Sequence, residues 1–182
     1  MPLLSVESVQ RIRENAAKYP QSRSALLPAL HIAQNELGWI SREAMEEVAD
    51  ILDLDPDQVE EVASFYTMYY TEPVGTYVME VCKTLPCSIL GADEIIEYIS
   101  QKLGIEPGET TADGMFSLFR VECLAACHRA PVMQFNHRYY QDLTPEKIDA
   151  LIEAARNLQL EVAGAPGFTV RRNWSESVEA EG

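Results

Sequence analysis

The periodicity of the sequence changes at Pro73–Gly75, and this break constrains the fold more than any other feature. Before it, apolar residues recur every three or four positions, the spacing of helices with one buried face. Beyond it, short runs rich in β-branched and aromatic residues alternate with helical stretches, the pattern of a small sheet with helices packed on it. The division predicts a helical N-terminal domain over 1–75, a mixed α/β domain over 76–160 and an extended tail over 161–182. A chain of 182 residues is long enough for one domain, or two small ones, each with a core of its own.

In the first half, "SVESVQRIRENAAKYP" predicts a helix that stops before Pro20. "SRSALLPALHIAQNELG" predicts a second, with Ser22 or Ser24 as cap, Pro28 in its early turns and Gly38 at its end. "SREAMEEVADILDL" follows behind Ser41. "DPDQVEEVASFYTMYY" makes a fourth, with Asp55 as cap, Pro56 at the first position and Gln58 placed to complete a capping box. After the break come a strand, "TYVMEVC", ending at Cys82, and a helix, "GADEIIEYISQKLG", ending at Gly104. A loop, "IEPGETTADG", leads to a second strand, "MFSLFRVEC", ending at Cys123. A hairpin, "VMQFN" and "RYYQDL", turns at Asn136–His137, and a last helix begins at Thr144–Pro145. The order is β-α-β-β-α, with no internal repeat.

The net charge of −15 removes several function classes. A nucleic-acid-binding surface needs cations to displace phosphate counterions, and an anionic membrane surface attracts basic segments. No apolar run approaches the ~20 residues that span a bilayer. The start, "MPLLSVESVQ", lacks the basic and apolar regions of a signal peptide, so the expected location is the cytoplasm, where thiols stay reduced. "REAMEEVADILDLDPDQVEEVASFY" has the outline of a helix-turn-helix, but its second helix presents Asp57, Glu60 and Glu61, which repel phosphate and favour protein docking over DNA reading.

All four cysteines fall in two pairs. Cys82 and Cys87 have four residues between them; Cys123 and Cys127 have three. Each pair begins at a predicted strand end and runs into a loop, so neighbouring strands would gather four thiolates at one edge of the sheet. Four readings are open: inert buried cysteines, a thiol-exchange site, a structural zinc with four sulfur ligands, and a 2Fe-2S cluster. The redox spacing of two intervening residues is absent from both pairs. A two-iron cluster is wider than one zinc ion, which suits the longer gaps. A Rieske-like arrangement needs two histidines, whereas His31, His128 and His137 are scattered and only His128 adjoins a cysteine. No G-x-G-x-x-G or Walker-type stretch supplies a nucleotide site, and no acid–base pair stands out.

The wording around the cysteines goes beyond their spacing. "LPALHIAQNELGWI" and "EVASFYTMYYTEPVG" in the helical half, with "VCKTLPC", "VECLAACHRAPVMQFN" and "YYQDLTPEKI" in the second, closely resemble the thioredoxin-like 2Fe-2S subunit of NADH:quinone oxidoreductase, the bacterial respiratory complex I. The match runs from about Tyr19 to Leu158, and the same family serves NAD-linked hydrogenases and formate dehydrogenases. The resemblance implies an α/β fold of mixed α+β character, an N-terminal helical bundle followed by a thioredoxin-like sheet domain with flanking helices. It implies that Cys82, Cys87, Cys123 and Cys127 ligate one 2Fe-2S cluster, with no catalytic residue on this chain. It also implies a flavoprotein partner holding FMN and NADH, other peripheral-arm subunits, and a place peripheral to the inner membrane through the complex. The runner-up functions are a small subunit of an NAD-linked hydrogenase or formate dehydrogenase, and a four-cysteine zinc protein acting as a docking module.

The sequence departs from the family in two places. "CLAAC" replaces the usual "CLGAC" or "CLGSC", and glycine is expected at Ala126; the hairpin turn reads "NHR". Arg129, two residues beyond Cys127, is expected to set a positive charge near the irons. Four thiolates in an acidic chain favour a low reduction potential.

Overall fold

The computed structural model describes residues 2–157. The predicted tail over 161–182 lies outside them, as does the end of the last predicted helix. The helical half consists of α1 (Val6–Ala16), α2 (Leu26–Leu37), α3 (Arg42–Leu52) and α4 (Pro56–Phe65). The caps on three of these are local. Ser5 accepts from the Ser8 N–H, Ser41 from the Ala44 N–H, and Asp55 from the Asp57 N–H. Neither Ser22 nor Ser24 caps α2. Residues Ser22–Ala25 form a tight 3₁₀ turn that leads into it without a side-chain cap. Pro28 tolerates its place in the first turn, where an N–H has no helical partner to lose. The amphipathic faces meet in one core that includes Ile12, Leu26, Leu30, Ile40, Val48 and Val59.

The fourth helix stops at Phe65, although its apolar pattern continues to Tyr70. Tyr66 turns to an extended conformation, with φ −94° and ψ 114°. The buried amide of Gln34 explains the break. It donates to the Met68 carbonyl at 2.9 Å and accepts from the Tyr70 N–H at 2.7 Å, while the Tyr69 hydroxyl donates to the Leu27 carbonyl. These non-local bonds outcompete further turns of helix. The segment then delivers Tyr70 to the sheet, where its ring stacks on Phe119 and His137 and its hydroxyl meets the Glu80 carboxylate.

The second half holds β1 (Tyr77–Cys82), α5 (Leu85–Ile89), α6 (Ala92–Leu103), β2 (Phe116–Val121), β3 (Met133–Phe135), β4 (Arg138–Tyr140) and α7 (Pro145–Arg156). The sheet order is β2-β1-β3-β4, with β1 parallel to β2 and the other pairings antiparallel. Tyr77, Met79 and Val81 pack with Phe116 and Leu118 against Ile95, Ile96 and Ile99 of α6 and Ile148 and Ile152 of α7. Val78, Glu80 and Cys82 alternate onto the opposite face, and all six residues of β1 are buried. Gly75 lets the chain enter the sheet. A Cβ there would lie 2.8 Å from the Phe116 carbonyl carbon. The loop after α6 is not free of structure; Thr110 bridges Ser117, which covers the outer edge of β2.

The hairpin turns where the sequence places it. Asn136 and His137 have φ of 48° and 65°, the left-handed pair that a two-residue turn between twisted strands requires. The turn needs no glycine because the Asn136 side chain is held from both ends. It accepts from the Val78 N–H at 2.7 Å and donates to the Thr76 carbonyl at 2.9 Å.

Candidate metal centre

Parallel pairing of β1 and β2 carries both strands to the same end of the sheet, with Cys82 opposite Val121. Cys82 is the last residue of β1, as expected. Cys123 is not a strand terminus. The ladder ends at Val121 because β1 turns away after Cys82, so Glu122 and Cys123 have no strand to pair with. The Lys83 N–H still bonds the Val121 carbonyl at 2.9 Å, and Lys83 pairs with Glu122 at 3.0 Å, holding the two exits together.

A short helix invisible to periodicity positions Cys87. Thr84 occupies the N-cap position of α5, but its hydroxyl makes no capping bond; it lies 3.2 Å from the Cys82 sulfur. Five residues containing a proline are too few for a helical repeat to show. Cys82 and Cys87 are 2 % and 1 % exposed, packed with Ala92 and Val132, whereas Cys123 and Cys127 are exposed. The sulfurs of the second pair are 4.0 Å apart. Two thiolates on one tetrahedral metal at about 2.3 Å stand about 3.8 Å apart, so this spacing suits a shared ion.

The Ala125 N–H donates to the Cys123 sulfur at 3.3 Å. Nearby backbone N–H groups lower the pKa of the other thiols: Leu124 and Thr84 at Cys82, Val132 at Cys87, and the residue's own at Cys127. Leu124 lies between the cysteines of the second pair, so its N–H beside Cys82 brings the second loop up to the first pair. Its carbonyl is fixed from the other side by the Tyr139 hydroxyl at 2.9 Å. Burial pushes the Cys87 thiol up to about 11, reinforced by its bond to Cys82. Cys82 moves the opposite way. Burial raises it, but the Thr84 hydroxyl, the two N–H donors and the Cys87 thiol together hold it low. Cys127 is raised, first by its hydrogen bond with Cys123, then by desolvation and the charges of Cys123 and Cys82. The site therefore gathers four thiols within electrostatic reach of one another and surrounds them with donors that favour thiolate. Among the described residues, no three His, Cys, Asp or Glu side chains converge on a single ion position.

Two expectations at the rim need correction. The glycine-like position is Ala125, not Ala126. Ala125 has φ +61°, whereas Ala126 has φ −110° and ψ 42°. Ala125 is also the third residue of "CLAAC", the place glycine holds in "CLGAC". The left-handed turn aims the Ala125 N–H back at Cys123. Arg129, in turn, is not a free positive charge; its Nε pairs with Asp142 at 2.8 Å. His128 sits exposed on the 3₁₀ turn Cys127–Arg129. Thr84 and the N–H donors have no signature in the sequence, because no local pattern marks a donor to sulfur.

Comparison with known proteins gives this arrangement its class. The model of the thioredoxin-like [2Fe-2S] ferredoxin family matches residues 12–156. An NADH-quinone oxidoreductase subunit of Rhizobium meliloti is 42% identical over 163 residues, covering 87% of this chain and 97% of the relative. NADH-quinone oxidoreductase subunit 2 of Thermus thermophilus is 43% identical over 160 residues, covering 86% and 88%. Among solved structures, a chain of an NAD+-reducing [NiFe]-hydrogenase in the air-oxidized state superposes with a TM-score of 0.65 at 28% identity, covering 73% of this chain. This chain spans only 23% of the hydrogenase chain. The chain belongs to the thioredoxin-like [2Fe-2S] ferredoxin family. Its fold is thioredoxin-like, its cofactor is a 2Fe-2S cluster, and its work is electron transfer within an oxidoreductase complex.

Proposed function

We propose that this chain is the one-electron carrier of an NADH:quinone oxidoreductase, exchanging electrons with the FMN of a partner flavoprotein. In this reading Cys82, Cys87, Cys123 and Cys127 would hold the 2Fe-2S cluster. When bound, the cluster supplies a site that gains and loses a single electron. The residues of the chain do the rest. Cys82 and Cys87 anchor from the buried side, and Cys123 and Cys127 face outward. The N–H groups of Thr84, Leu124, Ala125 and Val132 steady negative charge on sulfur, and the loops around the first pair exclude water. The observation that carries the reading is this gathering of four thiols, N–H donors beside them, at one end of the sheet with one pair open to a partner.

The partner surface follows from the same end of the molecule. α5, which carries Cys87, presents Leu85 at 71 % and Ile89 at 73 % exposure, with Leu90 and Tyr139 also exposed. Apolar side chains that surround an exposed redox site favour docking on a protein face over free diffusion. NADH and FMN belong to the partner, since hydride transfer needs a two-electron acceptor. The two separate cores support reading 1–75 and 76–160 as two domains, the first a docking module. No helix among the described residues is long and apolar enough to cross a membrane. The proposed place is the cytoplasmic side of the inner membrane, peripheral to it through the complex. The second reading, a subunit of an NAD-linked hydrogenase, is favoured by the structural likeness to that enzyme.

An anaerobic NADH titration watched by visible absorption tests the proposal. NADH alone should leave the purified chain unbleached, dithionite should bleach it, and the FMN-bearing partner should confer NADH-driven electron transfer. Rapid bleaching by NADH without a partner would overturn the subunit reading. Stoichiometric zinc in a colourless protein would overturn the ligand assignment.

A further inference from the structure

Both oxygens of one carboxylate are engaged near the site, and they point to different ligand loops. Asp93 lies in the first turn of α6. Its Oδ2 accepts from the Ser88 hydroxyl at 2.8 Å, and its Oδ1 accepts from Arg120 Nη2 at 2.6 Å. Ser88 follows Cys87 directly and is part of α5. Arg120 stands opposite Val81, the residue before Cys82, and its strand runs on toward Cys123. α5 is a single short turn of helix whose N-cap hydroxyl is turned to sulfur, so its own hydrogen bonds hold it weakly. Its orientation therefore depends on bonds from outside it.

We infer that Asp93 is a positioning residue for the cluster, fixing the helix that carries Cys87 against the strand that leads to Cys123. The Ser88 hydroxyl prevents α5 from rolling, and the Arg120 guanidinium sets how far the α5–α6 corner stands from β2. Lys83–Glu122 makes the corresponding tie on the strand exits themselves. Asp93 touches neither a sulfur nor a reacting atom; it acts through Cys87. The side chains of the pair are about half exposed, at 49 % for Asp93 and 47 % for Arg120, so bulk stability owes little to it. Geometry at Cys87 is what it controls. The inference rests on the assignment of the four cysteines as ligands.

The test uses the full-length chain with its cluster, in wild-type, Asp93→Ala, Ser88→Ala and doubly substituted forms. Two readouts matter: the EPR g-values of the dithionite-reduced protein, and the rate at which a chelator strips the iron. Asp93→Ala should shift the g-values and speed iron loss about three- to tenfold, the range that one hydroxyl bond and one half-exposed ion pair together supply. Ser88→Ala should reproduce part of the effect, and the double variant should be no worse than Asp93→Ala, because both act through one bond. Unchanged g-values and iron-loss rate in Asp93→Ala would overturn the inference, even with a lowered Tm, and leave a plain surface ion pair. If Asp93→Ala fails to assemble a cluster, Ser88→Ala decides alone, and wild-type behaviour there overturns it equally. Wild-type chain without iron and sulfide would instead refute the ligand assignment, so the two failures are distinguishable.

Discussion

The two cysteine pairs reach the same end of the sheet in opposite conditions. Cys82 and Cys87 are buried, one at the end of the central strand and the other on a short helix, with Ala92 and Val132 packed around them. Cys123 and Cys127 lie exposed on a loop that has left the sheet and contains a non-glycine residue at positive φ. A buried ligand is fixed by its surroundings; an exposed one is fixed by its own loop and by whatever docks over it. Under the proposed ligand assignment, the contrast gives anchoring to the first pair and exchange with the partner to the second.

Serine at each cysteine should break the comparison most visibly. Cys87→Ser should give the greatest loss, because a hydroxyl is buried where a thiolate ligand and packing atom stood. Cys123→Ser should keep a folded chain with a labile centre. Iron and acid-labile sulfide, about two of each per wild-type chain, measure this. Equal loss at all four positions, with equal loss of Tm, would erase the distinction between the pairs.

Glu80 lies beneath the anchoring side, buried mid-strand. Burial pushes its carboxyl up, only partly offset by the Tyr70 hydroxyl. A raised folded-state pKa means that the native chain holds its proton more tightly than the unfolded one. Stability from this group is therefore present below the ordinary carboxylate range and is lost as pH rises through the raised value. Glu80→Gln should stabilise the protein at neutral pH by about 1 kcal/mol, with the gain shrinking toward about pH 4. Denaturant unfolding at several pH values checks this, and a pH-independent difference would contradict it.

On the exchange side, charge should register in potential rather than in stability. A single charge about 8 Å from a redox centre is worth about 2 kcal/mol at an effective dielectric of about 20, about half that after screening, or roughly 40 mV for one electron. Arg129→Ala leaves Asp142 uncompensated and should lower the potential by tens of millivolts. Removing both partners of this ion pair should return it close to the wild-type value. A redox titration in which the double variant stays as low as the single one would show that Arg129 acts alone.

The smallest expected effect separates two adjacent alanines. Ala125→Gly relieves a left-handed conformation and should stabilise by up to about 1 kcal/mol. Ala126→Gly should destabilise slightly, since φ there already suits alanine and glycine adds only freedom to the unfolded chain. Thermal unfolding of the two variants should therefore shift in opposite directions.

Much of this was legible in the sequence because its causes are local. Ser5, Ser41, Asp55 and Thr144 cap helices through bonds to residues two or three positions on, and apolar residues at helical and strand spacing mark the faces that meet in the two cores. The wording around four cysteines likewise carries the family. What only the tertiary structure decided depends on residues far apart in the chain. α4 ends at Phe65 because Gln34, more than thirty residues earlier, captures the segment beyond it. Cys87 is buried while Cys123 is not because α5 folds under Val132. Asp93 reaches Arg120 across 27 positions, and the Leu124 N–H reaches Cys82 from the opposite loop. Periodicity and capping report neighbours along the chain, whereas burial and cross-loop hydrogen bonds exist only once the sheet has brought its two strand ends together.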